Sequence, residues 1–337
     1  MAELLAPVVR RHLLSIGDLE REDVERILDT ATSLARSLGR EVKRLPTLRG
    51  RTVINVFYES STRTLASFEL AAKRLSADAM SIRSDGSSVE KGESLKDTAL
   101  TLAAYGPDVI VIRHPSIGAA QLVSRLTDAH VVNAGDGKHQ HPTQALLDLY
   151  AMREALGRLD GLHVAVVGDV QHSRVARSLV QALALVGARA TLVGPPTLLP
   201  PGIEALGCAV STDIGAISDA DVVYALRMQR ERMAPGEAFL PSLREYTALY
   251  GITPERVRAG QVVMHPGPMN RGVEIDPRVA DSAVALVTDQ VRAGLVVRMA
   301  VLYDVVAQRP VREREPVAGE RERSDASPVL TGTPDAA

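Results

Sequence analysis

Six short polar clusters, each placed where an apolar run ends, hold the residue types in this sequence that could do chemistry. Ser61-Thr62-Arg63-Thr64 is the densest. Three hydroxyls, a guanidinium and the unmet amides of a helix start converge there, which is how a phosphate is held without a metal. Arg113-His114-Pro115 and His141-Pro142-Thr143-Gln144 add a cation, an imidazole and a carboxamide. In the second half, Arg174 follows Asp169-Val170-Gln171-His172-Ser173, and Arg227-Met228-Gln229 supplies another guanidinium beside an amide. Such cationic forks suit carboxylates. His265-Pro266-Gly267-Pro268 completes the set. Taken singly, each has a plain alternative: a capped helix start with a solvated Arg, a surface ion pair, a His satisfied within the core, a loop Gln.

Several chemistries are disfavoured directly. The sequence lacks G-x-x-x-x-G-K-[ST], and the apolar run Leu162 to Val167 opens into Gly168-Asp169-Val170-Gln171-His172-Ser173 without the spaced glycines of a dinucleotide loop. His139-Gln140-His141 resembles the start of a metal site, but a third ligand at a recognisable spacing is missing, so no metal and no cofactor is expected. Lys+Arg 39 against Asp+Glu 41 leaves no global basic field, and three Phe, seven Tyr and no Trp leave few stacking platforms. A nucleic-acid partner is therefore not expected. The single Cys208 cannot form an intrachain disulfide, which fits a reducing compartment, and Met1 to Leu14 lacks a secretion-signal pattern. The cytoplasm is the expected location. The apolar stretch Ala283 to Ala307 is interrupted by Asp289, Arg292, Arg298 and Asp304, so it reads as a packing helix and not as a lipid-spanning one.

These clusters need elements to position them. Asp18 to Leu38 has apolar residues at helical spacing, with Asp18 placed to cap the first turn. Thr52 to Tyr58 is a β-branched and aromatic run leading through the Ser61 cluster to a helical pattern over Leu65 to Leu75. Asp108 to Arg113 and Val131 to Ala134 read as further strands, the latter followed by a helix over Ala145 to Leu156. After a Gly157 to Gly161 break the rhythm restarts, with strands at Leu162 to Val167, Thr191 to Gly194, Asp221 to Leu226 and Gln261 to Met264, and a helix over Val175 to Val186. Strands alternating with helices predict an α/β chain of two doubly wound parallel-sheet domains joined by helices. The expected division is 1–150, 151–285, a C-terminal helix over 286–308 packing back on the first domain, and a disordered tail over 309–337 that is poor in large apolar residues.

The run Phe57-Tyr58-Glu59-Ser60-Ser61-Thr62-Arg63-Thr64 matches F-x-[EK]-x-S-[GT]-R-T, the carbamoyl-phosphate signature of the aspartate and ornithine carbamoyltransferases. Lys91-Gly92-Glu93, Arg113-His114-Pro115, His141-Pro142-Thr143-Gln144, Arg227-Met228-Gln229 and His265-Pro266-Gly267-Pro268 follow in that family's order and approximate spacing. Over about His12 to Val306 the chain therefore resembles this family.

The resemblance implies transfer of a carbamoyl group from carbamoyl phosphate to an amine, in de novo pyrimidine synthesis if the acceptor is L-aspartate. It assigns Ser61, Thr62, Arg63 and Thr64 to the phosphate. Thr64, Arg113 and His141 become donors to the carbonyl oxygen, and Gln144 with the main-chain carbonyls of Pro266 and Gly267 become acceptors for the carbamoyl amide. Lys91, Arg174, Arg227 and Gln229 are assigned to L-aspartate. Ser87 and Lys91 are expected to reach into the site of an adjacent subunit of a homotrimer, which could itself belong to a larger assembly with regulatory or dihydroorotase chains. The family assigns the amine's proton to the departing phosphate. An ornithine enzyme would need an acid for its cationic side chain and carries His-Cys-Leu-Pro where this chain has His265-Pro266-Gly267-Pro268, so aspartate is the preferred acceptor. Gly267 departs from the family members that carry Leu there. Another amine acceptor, or a non-catalytic subunit retaining the fold, are the competing readings; Arg63, Arg113 and His141, whose loss would favour the latter, are all present.

Overall fold

The computed structural model describes residues 12–39, 43–83, 92–229 and 242–307. Ser87, Lys91 and the tail from 309 lie outside the described residues.

Two parallel sheets form the frame. Strands β1 (Thr52–Phe57), β2 (Asp78–Arg83), β3 (Val109–His114) and β4 (His130–Asp136) lie in the order β2-β1-β3-β4. Strands β5 (His163–Val167), β6 (Arg189–Val193), β7 (Ala209–Ser211), β8 (Val222–Ala225) and β9 (Val262–Met264) lie in the order β7-β6-β5-β8-β9. Strand order reverses direction between β1 and β3 in the first sheet and between β5 and β8 in the second. Open parallel sheets bind ligands at such points, beyond the carboxyl ends of the strands.

Helices α1 (Arg21–Leu38), α2 (Thr62–Arg74), α3 (Leu95–Ala104), α4 (Ala119–Leu126), α5 (Pro142–Leu156), α6 (Arg174–Leu185), α7 (Leu243–Tyr250), α8 (Pro277–Ala280) and α9 (Val287–Ala307) cover both sheets. Alternate strand positions feed different cores, as the period of two demands. Val53, Val109, Val111 and Val132 of the first sheet join Val164, Val166, Leu192 and Val222 of the second in one shared cluster. Ile54, Val56, Ile110 and Ile112 face a separate cluster with Ala119 and Val123 of α4, and Ala165, Val167, Val193 and Val223 face a third with Tyr246 of α7. The shared layer is built on α5, buried from Pro142 to Met152, and on α9, which packs against α1, α2 and α5. Val297, Met299, Val301 and Leu302 of α9 are buried there. Each such side chain contributes about 1.5–3 kcal/mol, so the last helix is anchored on the helices of the first half. Among the described residues no helix is long and apolar enough to cross a membrane.

The anticipated strands and helices are present with ends shifted by a few residues. At α1 the first turn is closed by a Glu20/Asp23 capping box, whereas Asp18 accepts from the Ser15 amide one turn earlier. The edge strands β2 and β7 were not anticipated. Asp78–Arg83 is mostly exposed and β7 has three residues, so neither carries a buried apolar run.

Candidate active site

Every polar cluster singled out above follows the carboxyl end of a strand. Ser61 to Thr64 follow β1, Arg113 ends β3, His141 and Gln144 follow β4, Arg174 follows β5, Arg227 and Gln229 follow β8, and Pro266 and Gly267 follow β9. All twelve of these residues line one open cavity of about 710 Å³ between the two sheets.

The phosphate-type loop is made by the start of α2. Ser61 is its N-cap residue in an extended conformation, and its hydroxyl makes no cap hydrogen bond. The first-turn amides are thus left to an incoming anion, with the helix dipole behind them. Thr64 is buried at the end of this turn. Gly267 lies opposite at φ +65°, where a Cβ would come within 3.0 Å of the Arg63 guanidinium carbon. The glycine lets the main chain of the His265 to Pro268 segment approach Arg63 closely.

Arg113 and Arg174 are held by one carboxylate. Glu59 Oε2 accepts from Arg174 Nη2 at 2.6 Å and stands 3.4 Å from Arg113 Nε. Arg174 Nη1 also donates to the Gly137 carbonyl at 3.1 Å. Its guanidinium lies against Gly135, at φ +120°, where a Cβ would sit 3.1 Å from Cζ. Although buried, Arg174 is therefore fixed in plane by an anion, a carbonyl and a missing side chain. Glu59 carries a guanidinium of each half of the molecule on one side chain.

His141 is positioned by its main chain. Asp136, 1% exposed, accepts from the Gly118 amide, Asn133 Nδ2 and the Gln140 amide, and contacts His139 Nδ1 at 3.0 Å. That winds the loop 137–140 tightly. The His141 amide then donates to Ser178 Oγ of α6 at 2.8 Å, and Ser178 Oγ donates to Gln140 Oε1 at 2.6 Å. His139, the partner in the rejected metal reading, faces Asp136 instead. In the second sheet Asp169, fully buried, contacts His172 Nδ1 at 2.8 Å and accepts from the Gln229 amide at 3.1 Å, while Gln229 Nε2 donates to the His172 carbonyl at 3.2 Å. The loop carrying Arg174 and the segment carrying Arg227 are joined by that one carboxylate.

Sequence reading gave no job to Glu59, Asp148, Gln290 or Arg298. Glu59 lies inside the signature, and Arg298 is visible as a charge in an apolar helix. Arg298 lines the cavity at 4% exposure with Cζ 5.2 Å from the Phe68 ring centroid. Burial pulls its guanidinium down to about 10, against the opposing pull of the Asp148 charge. It therefore remains cationic at neutral pH. Asp148 is pushed up to about 7 by burial, with hydrogen bonds from Gln290, Tyr224 and Gln144 and the charge of Arg298 opposing the rise.

The arrangement can hold a phosphate at a helix start, polarise an adjoining oxygen with a guanidinium, a hydroxyl and an imidazole, and bind carboxylates from the second sheet. Comparison with known proteins agrees. Residues 11–154 match the aspartate/ornithine carbamoyltransferase carbamoyl-P binding domain, and residues 160–305 match the Asp/Orn binding domain of the same family. The aspartate carbamoyltransferase catalytic subunit of Pelotomaculum thermopropionicum is 54% identical over 300 residues, covering 88% of this chain and 96% of the relative. That of Thermobifida fusca is 56% identical over 313 residues, covering 91% and 99%. Among solved structures, Trypanosoma cruzi aspartate transcarbamoylase in complex with carbamoyl aspartate and phosphate has a TM-score of 0.80 at 30% identity, over 90% of this chain and 100% of that one. The catalytic subunit of M. jannaschii aspartate transcarbamoylase has a TM-score of 0.77 at 39% identity, over 88% and 98%. By its domains, its relatives and the order of its site residues, the chain belongs to the aspartate/ornithine carbamoyltransferase family.

Proposed function

We infer that this chain transfers the carbamoyl group of carbamoyl phosphate to the α-amine of L-aspartate, giving N-carbamoyl-L-aspartate and phosphate. The observation that carries this reading is the convergence of a helix-start anion site and two second-sheet arginines on one cavity. The product is an open-chain precursor of the pyrimidine ring, which places the reaction in de novo pyrimidine synthesis.

In this reading Ser61, Thr62, Arg63 and Thr64 bind the phosphoryl oxygens. Thr64, Arg113 and His141 donate to the carbonyl oxygen. The amine attacks the carbonyl carbon, that oxygen gains negative charge, and the bridging C–O bond then breaks as phosphate leaves, taking the proton that the amine gives up. Each well-placed donor to such an oxygen is worth about a hundred- to a thousandfold in rate. Gln144 Oε1 and the carbonyls of Pro266 and Gly267 accept from the carbamoyl amide. Arg174 binds the α-carboxylate of aspartate, and Arg227 and Gln229 its side-chain carboxylate. A buried guanidinium in a fixed plane, as at Arg174, suits this task because guanidiniums meet carboxylates with two parallel bonds.

The same reading divides the chain into a carbamoyl-phosphate-binding unit over 1–150 and an aspartate-binding unit over 151–285, with 286–308 returning to the first. The product's place in nucleotide synthesis supports a cytoplasmic location. A homotrimer in which Ser87 and Lys91 complete a neighbour's site, Lys91 binding aspartate, follows from family membership. Assays of the purified chain with carbamoyl phosphate and either L-aspartate or L-ornithine test the acceptor. Ureido product is expected with aspartate alone, and activity with ornithine alone would overturn the reading.

A further inference from the structure

Asp148 lies one turn after Gln144 on α5 and is fully buried. Its Oδ1 accepts from Gln144 Nε2 at 3.0 Å and from Gln290 Nε2 at 2.7 Å, and its Oδ2 accepts from Tyr224 Oη at 2.8 Å. Gln290 comes from α9 and Tyr224 from β8, so three elements meet on this side chain. At its other end Gln290 Oε1 accepts from the His265 amide at 2.9 Å. His265 Nδ1 in turn accepts from the Gly267 amide at 2.8 Å, and its Nε2 faces Glu274 Oε1 at 3.1 Å.

A carboxamide has a donor end and an acceptor end. With Nε2 tied to a carboxylate behind the cavity wall, Gln144 has Oε1 left for the cavity it lines. The same carboxylate oxygen orients Gln290, and Gln290 anchors the His265 to Gly267 turn. The carbamoyl-facing acceptors, one side chain and two main-chain carbonyls, are therefore keyed to a single atom.

We propose that Asp148, acting through Gln144 and Gln290, is the positioning residue that makes this end of the site an array of acceptors, and so selects carbamoyl phosphate over acyl phosphates lacking N–H donors. A carbamoyl group and an acetyl group have nearly the same shape, and only the first has hydrogens to donate. A site that presents oriented acceptors leaves them unmet by a methyl group and rejects it, whereas a carboxamide free to turn can present its own donor end and loses the distinction. This inference rests on the assignment of Gln144, Pro266 and Gly267 to the carbamoyl amide.

The test uses the full-length enzyme and measures KM and kcat for carbamoyl phosphate, inhibition by acetyl phosphate, and Kd for inorganic phosphate. Wild type should favour carbamoyl phosphate over acetyl phosphate. Asp148→Leu and Gln290→Met should each reduce that preference by about tenfold or more, with inorganic phosphate bound within about twofold of wild type, since the Ser61 to Thr64 loop is untouched. Asp148→Asn retains an oxygen at the Oδ1 position, and Tyr224 can accept from its new amide. It should restore the preference to within about threefold of wild type. Equal weakening of all three ligands in Asp148→Leu and Gln290→Met would show a scaffold role only and overturn the inference, as would failure of Asp148→Asn to restore preference. Gln144→Ala separates this inference from its premise. If Gln144→Ala loses the preference while Asp148→Leu and Gln290→Met keep it, the positioning role is wrong. If wild type shows no preference, the assignment of the acceptors itself fails.

Discussion

Replacing Asp148 by Asn should stabilise the protein at high pH much more than at low pH. Burial pushes this carboxyl up to about 7 in the fold, against about 3.9 in an unfolded chain. The folded state therefore holds a proton that the unfolded state releases between those values, and stability declines as pH rises through that interval. Relative to a group protonated in both states, ionisation lowers the folding stability by about 4 kcal/mol at about pH 8, and by between about 1 and 2 kcal/mol at about pH 5, where chiefly the unfolded carboxyl has ionised, taking about 1.4 kcal/mol per pH unit. Asn carries no charge to desolvate. Whatever Asn gains or loses in hydrogen-bond geometry is independent of pH and cancels when the two conditions are compared. The wild-type-to-variant difference should then be larger at about pH 8 by about 2.5 kcal/mol. Denaturant or calorimetric unfolding of both proteins at both pH values measures it. An equal difference at the two pH values would refute the claim that Asp148 is a desolvated acid whose charge the fold tolerates at a cost.

Arg227→Ala should raise the aspartate requirement far more than the carbamoyl phosphate requirement, by about 1.5–3 kcal/mol for a lost charge-assisted bond; steady-state kinetics with each substrate varied would show equal weakening if the assignment were wrong. Glu59→Gln should weaken both substrates by about tenfold or more, because Arg113 and Arg174 share that one carboxylate, and a loss confined to one substrate would contradict the shared clamp. Arg63→Ala and Lys91→Ala chains, each inactive alone, should regain about a quarter of wild-type sites when dissociated and reassembled together in a closed ring. Zero recovery, with exchange verified by mass spectrometry, would exclude a site shared between neighbouring chains.

The site was more legible in the sequence than the network that holds it. Ser61 to Thr64, Arg113, His141, Arg174, Arg227 and Pro266 announce themselves because each sits just past an apolar run, and parallel sheets bring those positions to one edge. The strands themselves were readable for the same reason, since Leu162 to Val167 is buried on both faces and apolar except at His163. Strand β2 was not, because an exposed edge needs no apolar run. Asp148 could not be recognised by pattern, since an acid in a helix ordinarily faces solvent. What makes it distinctive is the meeting of Gln144, Tyr224 and Gln290, which are separated by up to 146 positions along the chain. Glu59 was in view within the signature, but its pairing with arginines from both halves of the chain is a fact of tertiary structure.

The most direct test of the reaction is to follow the bond that forms and the bond that breaks. The purified enzyme would be given carbamoyl phosphate labelled at its carbonyl carbon and its bridging oxygen, together with nitrogen-labelled L-aspartate. Attack of the amine on the carbonyl carbon predicts one-bond carbon–nitrogen coupling in the product by NMR and all of the oxygen label in the released phosphate. Absence of that coupling, or recovery of the bridging oxygen in a carbamate with phosphoryl transfer to the acceptor, would contradict carbamoyl transfer to aspartate.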